Sequence, residues 1–203
     1  MNLLCINPSI FGSTGKSYEL TDHAVAGLLA KYPDVHLTNR DLDGSIDHLS
    51  LAEFEANSTP SSKRTPEQAQ LAQFADLLIE ELQAADVVVI GVPMYNFAMP
   101  TTLSSWFDRV LRAGVTFGYT ESGPKGLLGD KRVLVCLTRG GTYLGSELDA
   151  QTPLLKTLTG FVGLTDVSFV YAEGLSQGVR SVDEIMDGAR KQITEWVQNT
   201  EAA

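Results

Sequence analysis

Hydrophobic and polar positions along the chain follow two alternating rhythms. Leu3–Ile6, Val87–Val92, Val133–Leu137 and Asp166–Tyr171 are short runs rich in Val, Leu, Ile, Cys and Phe. Between them lie longer stretches in which apolar residues recur every three or four positions. Val87–Val92 reads VVVIGV with no polar alternation, the pattern of a strand buried on both faces of a parallel sheet. Val35–Asp41 alternates instead and predicts a strand near a sheet edge. Helical spacing predicts a helix over about Ser17–Lys31, carrying Leu20, Ala24 and Leu28 on one face and ended by Pro33. A second starts at Pro66 behind Thr65 and runs to about Ala84. A third follows Pro100, with Thr101 or Thr102 as N-cap, and reaches about Arg112. The last two span roughly Pro153–Val162 and Ser181–Asn199, the final one opened by a Ser181-to-Glu184 capping box.

Two stretches lack a period. Gly44–Pro66 is polar, and its Ser58–Thr65 part reads as a mobile surface excursion. Ala113–Lys131 is glycine-rich and reads as a long functional loop or hairpin. Strand and helix alternate five times, which predicts one α/β domain over residues 1–203 with right-handed crossovers. Without a second set of βαβ units, the expected sheet has five parallel strands in the order 2-1-3-4-5 rather than six.

Composition narrows the function classes. The 203 residues carry a formal charge of −10, which argues against non-specific binding to nucleic acid or an anionic membrane and for a soluble cytoplasmic protein. Met1–Ile6 lacks a basic start and is too short for a signal peptide. No apolar run approaches the ~20 residues of a membrane span. Cys5 and Cys136 each sit inside an apolar run, as buried structural thiols do, and a zinc site needs more ligands at closer spacing. His23, His36 and His48 fall in helix, strand and loop contexts with no shared pattern.

The chemistry concentrates in three strand-exit loops. Asn7–Ser17, NPSIFGSTGKS, supplies hydroxyls at Ser9, Ser13, Thr14 and Ser17 and close backbone approach at Gly12 and Gly15. The helix that follows offers free N–H groups and the positive end of its dipole, and Lys16 is the nearby cation; together they suit a phosphate. Taken alone, the same residues also make an ordinary turn into a helix. A nucleotide-hydrolase phosphate loop would need glycine at position 10, where isoleucine stands, and no G-x-G-x-x-G follows a strand. The second loop, Met94-Tyr95-Asn96-Phe97, holds amides and aromatic faces with almost no charge. The third, Thr138-Arg139-Gly140-Gly141 with Tyr143, adds close backbone approach and one cation. Such loops converge at the carboxyl edge of an open sheet, where flat ligands bind. A phosphate tail on a flat polar heterocycle fits the trio, and flavin mononucleotide (FMN) has that shape.

At this point the chain resembles a family, the FMN-dependent NADH azoreductases, also described as FMN-dependent NADH:quinone oxidoreductases, of the flavodoxin-like fold. The resemblance is carried by PMYNF (Pro93–Phe97), SSWFDRVLRAGVTFGYTESGPKGL (Ser104–Leu127), TRGGTY (Thr138–Tyr143) and GFVGLTDV (Gly160–Val167), and spans nearly the whole chain. It implies a flavodoxin-like three-layer sandwich, a homodimer, non-covalent FMN, and two half-reactions. NADH reduces the flavin and leaves; a quinone or an azo compound then takes the reducing equivalents. By matching position, Ser9, Gly15, Lys16 and Ser17 would hold the phosphate. Met94, Tyr95, Asn96 and Phe97 would line the ring, and Thr138, Arg139, Gly140 and Gly141 would meet its pyrimidine side. Tyr119 and Phe161, with Tyr143, would form the acceptor pocket, partly from the second subunit. The flavin would carry the redox chemistry, with no side chain acting as nucleophile. This chain departs from the pattern at Gly15, where the family commonly has a hydroxyl residue, and at Gly118, which is often basic. Two other functions share the fold: a flavodoxin-type electron carrier and an NADPH-specific drug-modulator-type quinone reductase.

Overall fold

The computed structural model describes residues 1–44, 46–129 and 131–201. Among the described residues, seven strands and six α-helices follow in the order β1 (Asn2–Asn7), α1 (Lys16–Lys31), β2 (His36–Asp41), α2 (Leu51–Ser58), α3 (Pro66–Ala84), β3 (Val87–Pro93), α4 (Thr101–Val110), β4 (Phe117–Thr120), β5 (Gly123–Gly126), β6 (Arg132–Thr138), α5 (Gln151–Phe161), β7 (Asp166–Ala172) and α6 (Val182–Gln198). Five strands form one parallel sheet in the order β2-β1-β3-β6-β7, and β4 and β5 pair separately as an antiparallel hairpin. The expected numbering 2-1-3-4-5 therefore needs correcting, because it left the hairpin strands inside the glycine-rich stretch uncounted. That stretch has too little apolar alternation to announce strands: β5 is GPKG, with no hydrophobic side chain.

All seven residues of β3 are buried, as a central strand covered on both sides requires. Its side chains alternate between two cores. Val88 and Ile90 join Leu4, Ile6, Val133 and Val135 under α3 and α4, where Leu78, Leu82, Leu103 and Trp106 close the layer. Val87 and Val89 join Leu3, Cys5, Leu134 and Cys136 under α1 and α6, against Leu20, Leu28, Ile193 and Trp196. Burial pushes the Cys5 thiol up to about 12, with hydrogen bonds from Thr21 and Asn7 only partly opposing it. It pushes Cys136 higher still, so both thiols are inert packing groups.

Capping accounts for several helix ends. Ser181 and Thr65 make the capping boxes with Glu184 and Gln68, and Pro66 stands at the first helical position of α3. The start of α4 differs from expectation: its N-cap is Pro100, without a side-chain cap, and the Thr102 hydroxyl instead donates to Pro8 O at 3.3 Å. The larger correction lies between Gly44 and Pro66. Residues 51–58 are helix α2, entered through a Ser50–Glu53 capping box. Arg64 donates from Nε to Ala56 O and Thr59 O, both at 3.0 Å, and pairs with Asp76 on α3. Buried Arg109 on α4 pairs with Glu53 at 2.7 Å. Ser58–Thr65 is thus a connection pinned by Arg64 to the end of α2 and to α3, while Arg109 anchors α2 itself to α4.

Candidate cofactor site

Register brings the strand exits to one rim. Ile6 is level with Ile90, and Pro93, Thr138 and Ala172 are level with one another. The loops that leave β1, β3 and β6 therefore meet above the same edge.

The first loop folds on itself through Gly12 N–H to Ser9 O at 3.0 Å and Thr14 N–H to Phe11 O at 3.1 Å. Gly12 holds a left-handed φ of 51° at this turn. Ser9 is buried, and its Oγ accepts from Phe11 N–H at 3.2 Å. A Cβ at Gly15 would lie 2.5 Å from that Oγ, so glycine stands here because the neighbouring serine already fills the space. Gly15 is the N-cap of α1 and gives no side-chain cap. The first bonded amide of the helix is Glu19, to Gly15 O at 3.0 Å, which leaves the N–H groups of Lys16, Ser17 and Tyr18 as the helix's unclaimed donors. Positive dipole and open donors make an anion cradle. The Lys16 ammonium turns along its own helix onto Glu19 Oε2 at 2.8 Å. What Lys16 brings to the cradle is its backbone N–H. Glu19 also pairs with Arg190 of α6, and the hydrogen bond from Lys16 outweighs burial in lowering its carboxyl below the usual range.

The second loop is a tight turn. Tyr95 and Ala98 exchange both N–H···O bonds at 3.0 Å, and between them Asn96 and Phe97 sit at φ 49° and 67°. Asparagine takes left-handed backbone more readily than other side chains do, whereas for phenylalanine it costs on the order of 1–2 kcal/mol. Closure of the turn uses the amides of Tyr95 and Ala98, so Asn96 and Phe97 keep theirs for a ligand. The Tyr95 hydroxyl ties this turn to the first loop, accepting from Ile10 N–H at 3.3 Å and lying 3.4 Å from Ser9 Oγ. Met94 N–H donates to Thr138 O at 2.9 Å, tying it to the third.

In the third loop the carbonyls of Arg139, Gly140 and Gly141 accept from Leu175, Ser176 and Gly174. Among the described residues the amides of Gly140 and Gly141, with that of Thr142, are the loop's open donors. The Tyr143 ring lies so close to Gly141 that a Cβ there would stand 2.6 Å from it, and it meets Phe97 edge-on with centroids 5.6 Å apart. Arg139 is not at the surface of this site. It is buried beneath it, donating to Gln151 Oε1 at 3.0 Å, Asp149 Oδ1 at 2.9 Å, Thr152 Oγ1 at 3.0 Å and Glu173 Oε1 at 2.8 Å. Glu173 in turn accepts from Tyr143 and Leu144 N–H, both at 3.0 Å. Burial works against Asp149 as a carboxylate, but hydrogen bonds from Thr152 and Arg139 outweigh it and hold its carboxyl below the usual range. The Arg139 guanidinium is thus a brace under the loop, which leaves the residue's backbone as the part that faces the rim; its acidic partners at 149 and 173 lie too far off in sequence to have pointed to this.

Ser9, Gly15, Lys16, Ser17, Met94, Tyr95, Asn96, Phe97, Thr138, Gly140, Gly141 and Tyr143 are thus brought to one rim. Tyr119 and Phe161 are not among them. Tyr119 is exposed on the hairpin, edge-on to Phe117, whose ring packs on Phe161 at 4.5 Å. Phe161 ends α5 and Gln151 begins it, about 15 Å away along the helix. Gln151 touches the Asn96–Phe97 turn, so this aromatic group lies at the far end from the chain's own rim. Gln151 itself had no sequence signal; it stands outside every motif named above.

A flavodoxin-like sheet with an uncapped α1, an uncharged turn and a di-glycine loop at one rim defines a mononucleotide-binding α/β protein. Residues 1–197 match the family described as "Flavodoxin-like fold". The chain is 45% identical over 194 residues to the FMN-dependent NADH:quinone oxidoreductase of Alcanivorax borkumensis, covering 95% of this chain and 98% of that one. It is likewise 45% identical over 199 residues to the enzyme of that name from Dechloromonas aromatica, covering 97% and 100%. Among solved structures it is similar to the azoreductase of Bacillus anthracis strain Sterne, with TM-score 0.89 and 25% identity over 98% of this chain and 100% of that one. The chain belongs to the family of the FMN-dependent NADH:quinone oxidoreductases.

Proposed function

We propose that this protein is an FMN-dependent NADH:quinone oxidoreductase that also cleaves aromatic azo compounds. The observation that carries the reading is the set of uncommitted backbone donors at one rim: the start of α1, Asn96 and Phe97, and Gly140 and Gly141. The first suits a dianionic phosphate; the others suit the carbonyl and nitrogen edge of a flat ring, with little side-chain charge to favour any other ligand. FMN, when bound, supplies the electron transfer between nicotinamide and acceptor. The chain's own residues bind and orient. Ser9, Gly15, Lys16 and Ser17 hold the phosphate through the loop and the helix N-terminus. Met94–Phe97 and Thr138–Gly141 fix the ring, and the amides of Gly140 and Gly141 offer preorganised dipoles where negative charge develops on reduction. Phe97 and Tyr143 shield one flank from water.

The working unit on this reading is a homodimer of single-domain chains in the cytoplasm. The placement of Tyr119 and Phe161 supports it: Phe161 lies about 15 Å along α5 from Gln151, and Tyr119 is exposed on the hairpin that packs there, so both suit a pocket wall lent to a second copy. Exposed Phe11, Phe97, Leu144 and Leu148 around the rim favour a covered face. Among the described residues no helix is long and apolar enough to cross a membrane.

Purified protein loaded with FMN and mixed with NADH and menadione tests the reading. Sustained NADH oxidation by the protein alone supports an enzyme; an electron carrier gives no turnover until a separate reductase is added. The kcat/KM ratio for NADH over NADPH separates it from the NADPH-specific alternative.

A further inference from the structure

A backbone as strained as the Asn96–Phe97 turn persists where its surroundings over-determine it. Beyond the turn's own closure, the determining group is Gln151, the first residue of α5, which is 1% exposed. Its Nε2 donates to Pro93 O at 3.1 Å and to Ala98 O at 3.0 Å, the two carbonyls that bracket Met94–Phe97. Its Oε1 accepts from Arg139 Nε at 3.0 Å. A guanidinium can only donate, so Arg139 dictates which way the amide faces: oxygen toward the cation, NH2 toward the turn. Arg139 also sets the neighbouring loop, through Glu173 and the amides of Tyr143 and Leu144. Two strand-exit loops are thereby registered against one buried cation: the Glu173 arm reaches the strained turn through the Tyr143 ring against Phe97, and the Gln151 arm reaches it by hydrogen bonds to its backbone.

We infer that Gln151 is a positioning residue for the cofactor ring: its carboxamide, oriented by Arg139, holds the Asn96–Phe97 turn so that the two free amides of that turn keep a fixed aim. The inference rests on the FMN reading above. It separates two effects that a purely structural glutamine would not. The phosphate cradle at α1 makes no contact with Gln151, so loss of the carboxamide weakens ring binding and leaves the phosphate's share alone. Amides that drift from the ring's polar edge also lose their preference for its more electron-rich reduced form, which shifts the potential of the bound flavin downward.

The test is Gln151→Leu, with Gln151→Met as the flexible, volume-matched second variant should the first fail to fold. Dissociation constants for FMN and riboflavin are measured by fluorescence quenching, and the potential of the bound flavin is measured at saturating FMN. The expected result is a loss of tenfold or more for both ligands, with the FMN-to-riboflavin affinity ratio unchanged. The bound flavin's potential falls, by about 30 mV for each tenfold loss of preference for the reduced ring in a two-electron couple. A variant that binds both flavins at wild-type strength and potential, with at most a lower melting temperature, overturns the positioning role. So does one in which only FMN, and not riboflavin, is weakened. If wild-type protein binds no flavin, the cofactor reading itself has failed, a result distinct from any obtained with the variants.

Discussion

Replacing Arg139 by methionine tests the brace under the rim. The side chain is wholly buried and donates to Gln151, Asp149, Thr152 and Glu173. Methionine fills a similar volume but leaves two carboxylates, each at most about a tenth exposed, facing no cation. Removing one partner of a buried ion pair costs about 3–5 kcal/mol. For a domain of this size each kcal/mol is about 2–4 °C, so the melting temperature should fall by roughly 6–20 °C. The loss should depend on pH with a definite sign. In the wild type the Asp149 carboxyl is held below its ordinary value. Its contribution is therefore present above the unfolded value of about 3.9 and is lost as pH falls through the folded one. In the variant, burial and the Thr152 hydrogen bonds remain while the Arg139 bond and charge are lost, so that carboxyl rises from its wild-type position and protonation on acidification relieves part of the penalty. Urea denaturation of the flavin-free protein at pH 7.5 and pH 5 should show the gap between wild type and variant narrowing at the lower pH. A gap under about 1 kcal/mol at pH 7.5, or one that widens on acidification, would refute the assignment of Arg139 as a buried brace.

Other outcomes follow from the same geometry. Gly15→Ala places a methyl where Ser9 Oγ stands and should weaken FMN binding by about tenfold, equivalent to 1.4 kcal/mol, with Ser9→Gly restoring part of it; an unchanged dissociation constant for Gly15→Ala would show that the serine yields freely. Lys16→Ala should alter FMN affinity by less than about threefold at any salt concentration, because its ammonium is engaged by Glu19 in an exposed pair; a large loss confined to low salt would show the charge at the phosphate instead. Phe161→Ala should reorder the preference among quinone and azo acceptors while leaving FMN affinity near wild type, and lost flavin with an intact acceptor ranking would contradict the proposed pocket. A Cβ at Gly126 would meet the Gly163 backbone nitrogen at 2.0 Å, with no flexible side chain to give way. Gly126→Ala should therefore cost about 1–3 kcal/mol, read as a lower melting temperature, and an unchanged melting temperature would show that the hairpin lifts freely from the turn after α5.

What was legible in the sequence was what depends on neighbours along the chain. The apolar VVVIGV run announced a strand buried on both faces, and Thr65-Pro66 and Ser181–Glu184 announced helix starts, because caps act within one turn. The same logic was available at Ser50–Glu53 and would have found α2, but the polar sequence around it carried no apolar stripe to support a helix. Glycine content allowed a loop or a hairpin over Ala113–Lys131 but could not mark strands β4 and β5, which are held by backbone pairing, by the Phe117 ring on Phe161 and by close contact of Gly126 with Gly163. At the site, motif strings placed the loops, since backbone amides do the work there and glycine and turn residues mark them. They did not foretell what each side chain does. Arg139 and Lys16 find partners at positions 149, 173 and 19, and only the fold decides whether a cation faces a ligand or a carboxylate.

The claim on which all of this depends is that the rim holds FMN and that the flavin moves the electrons. The most direct measurement is the visible absorption of the purified protein, supplemented with FMN and freed of excess, before and after addition of NADH and then menadione. The account predicts a yellow protein that NADH bleaches and menadione restores. A folded protein that stays colourless after incubation with FMN would contradict it.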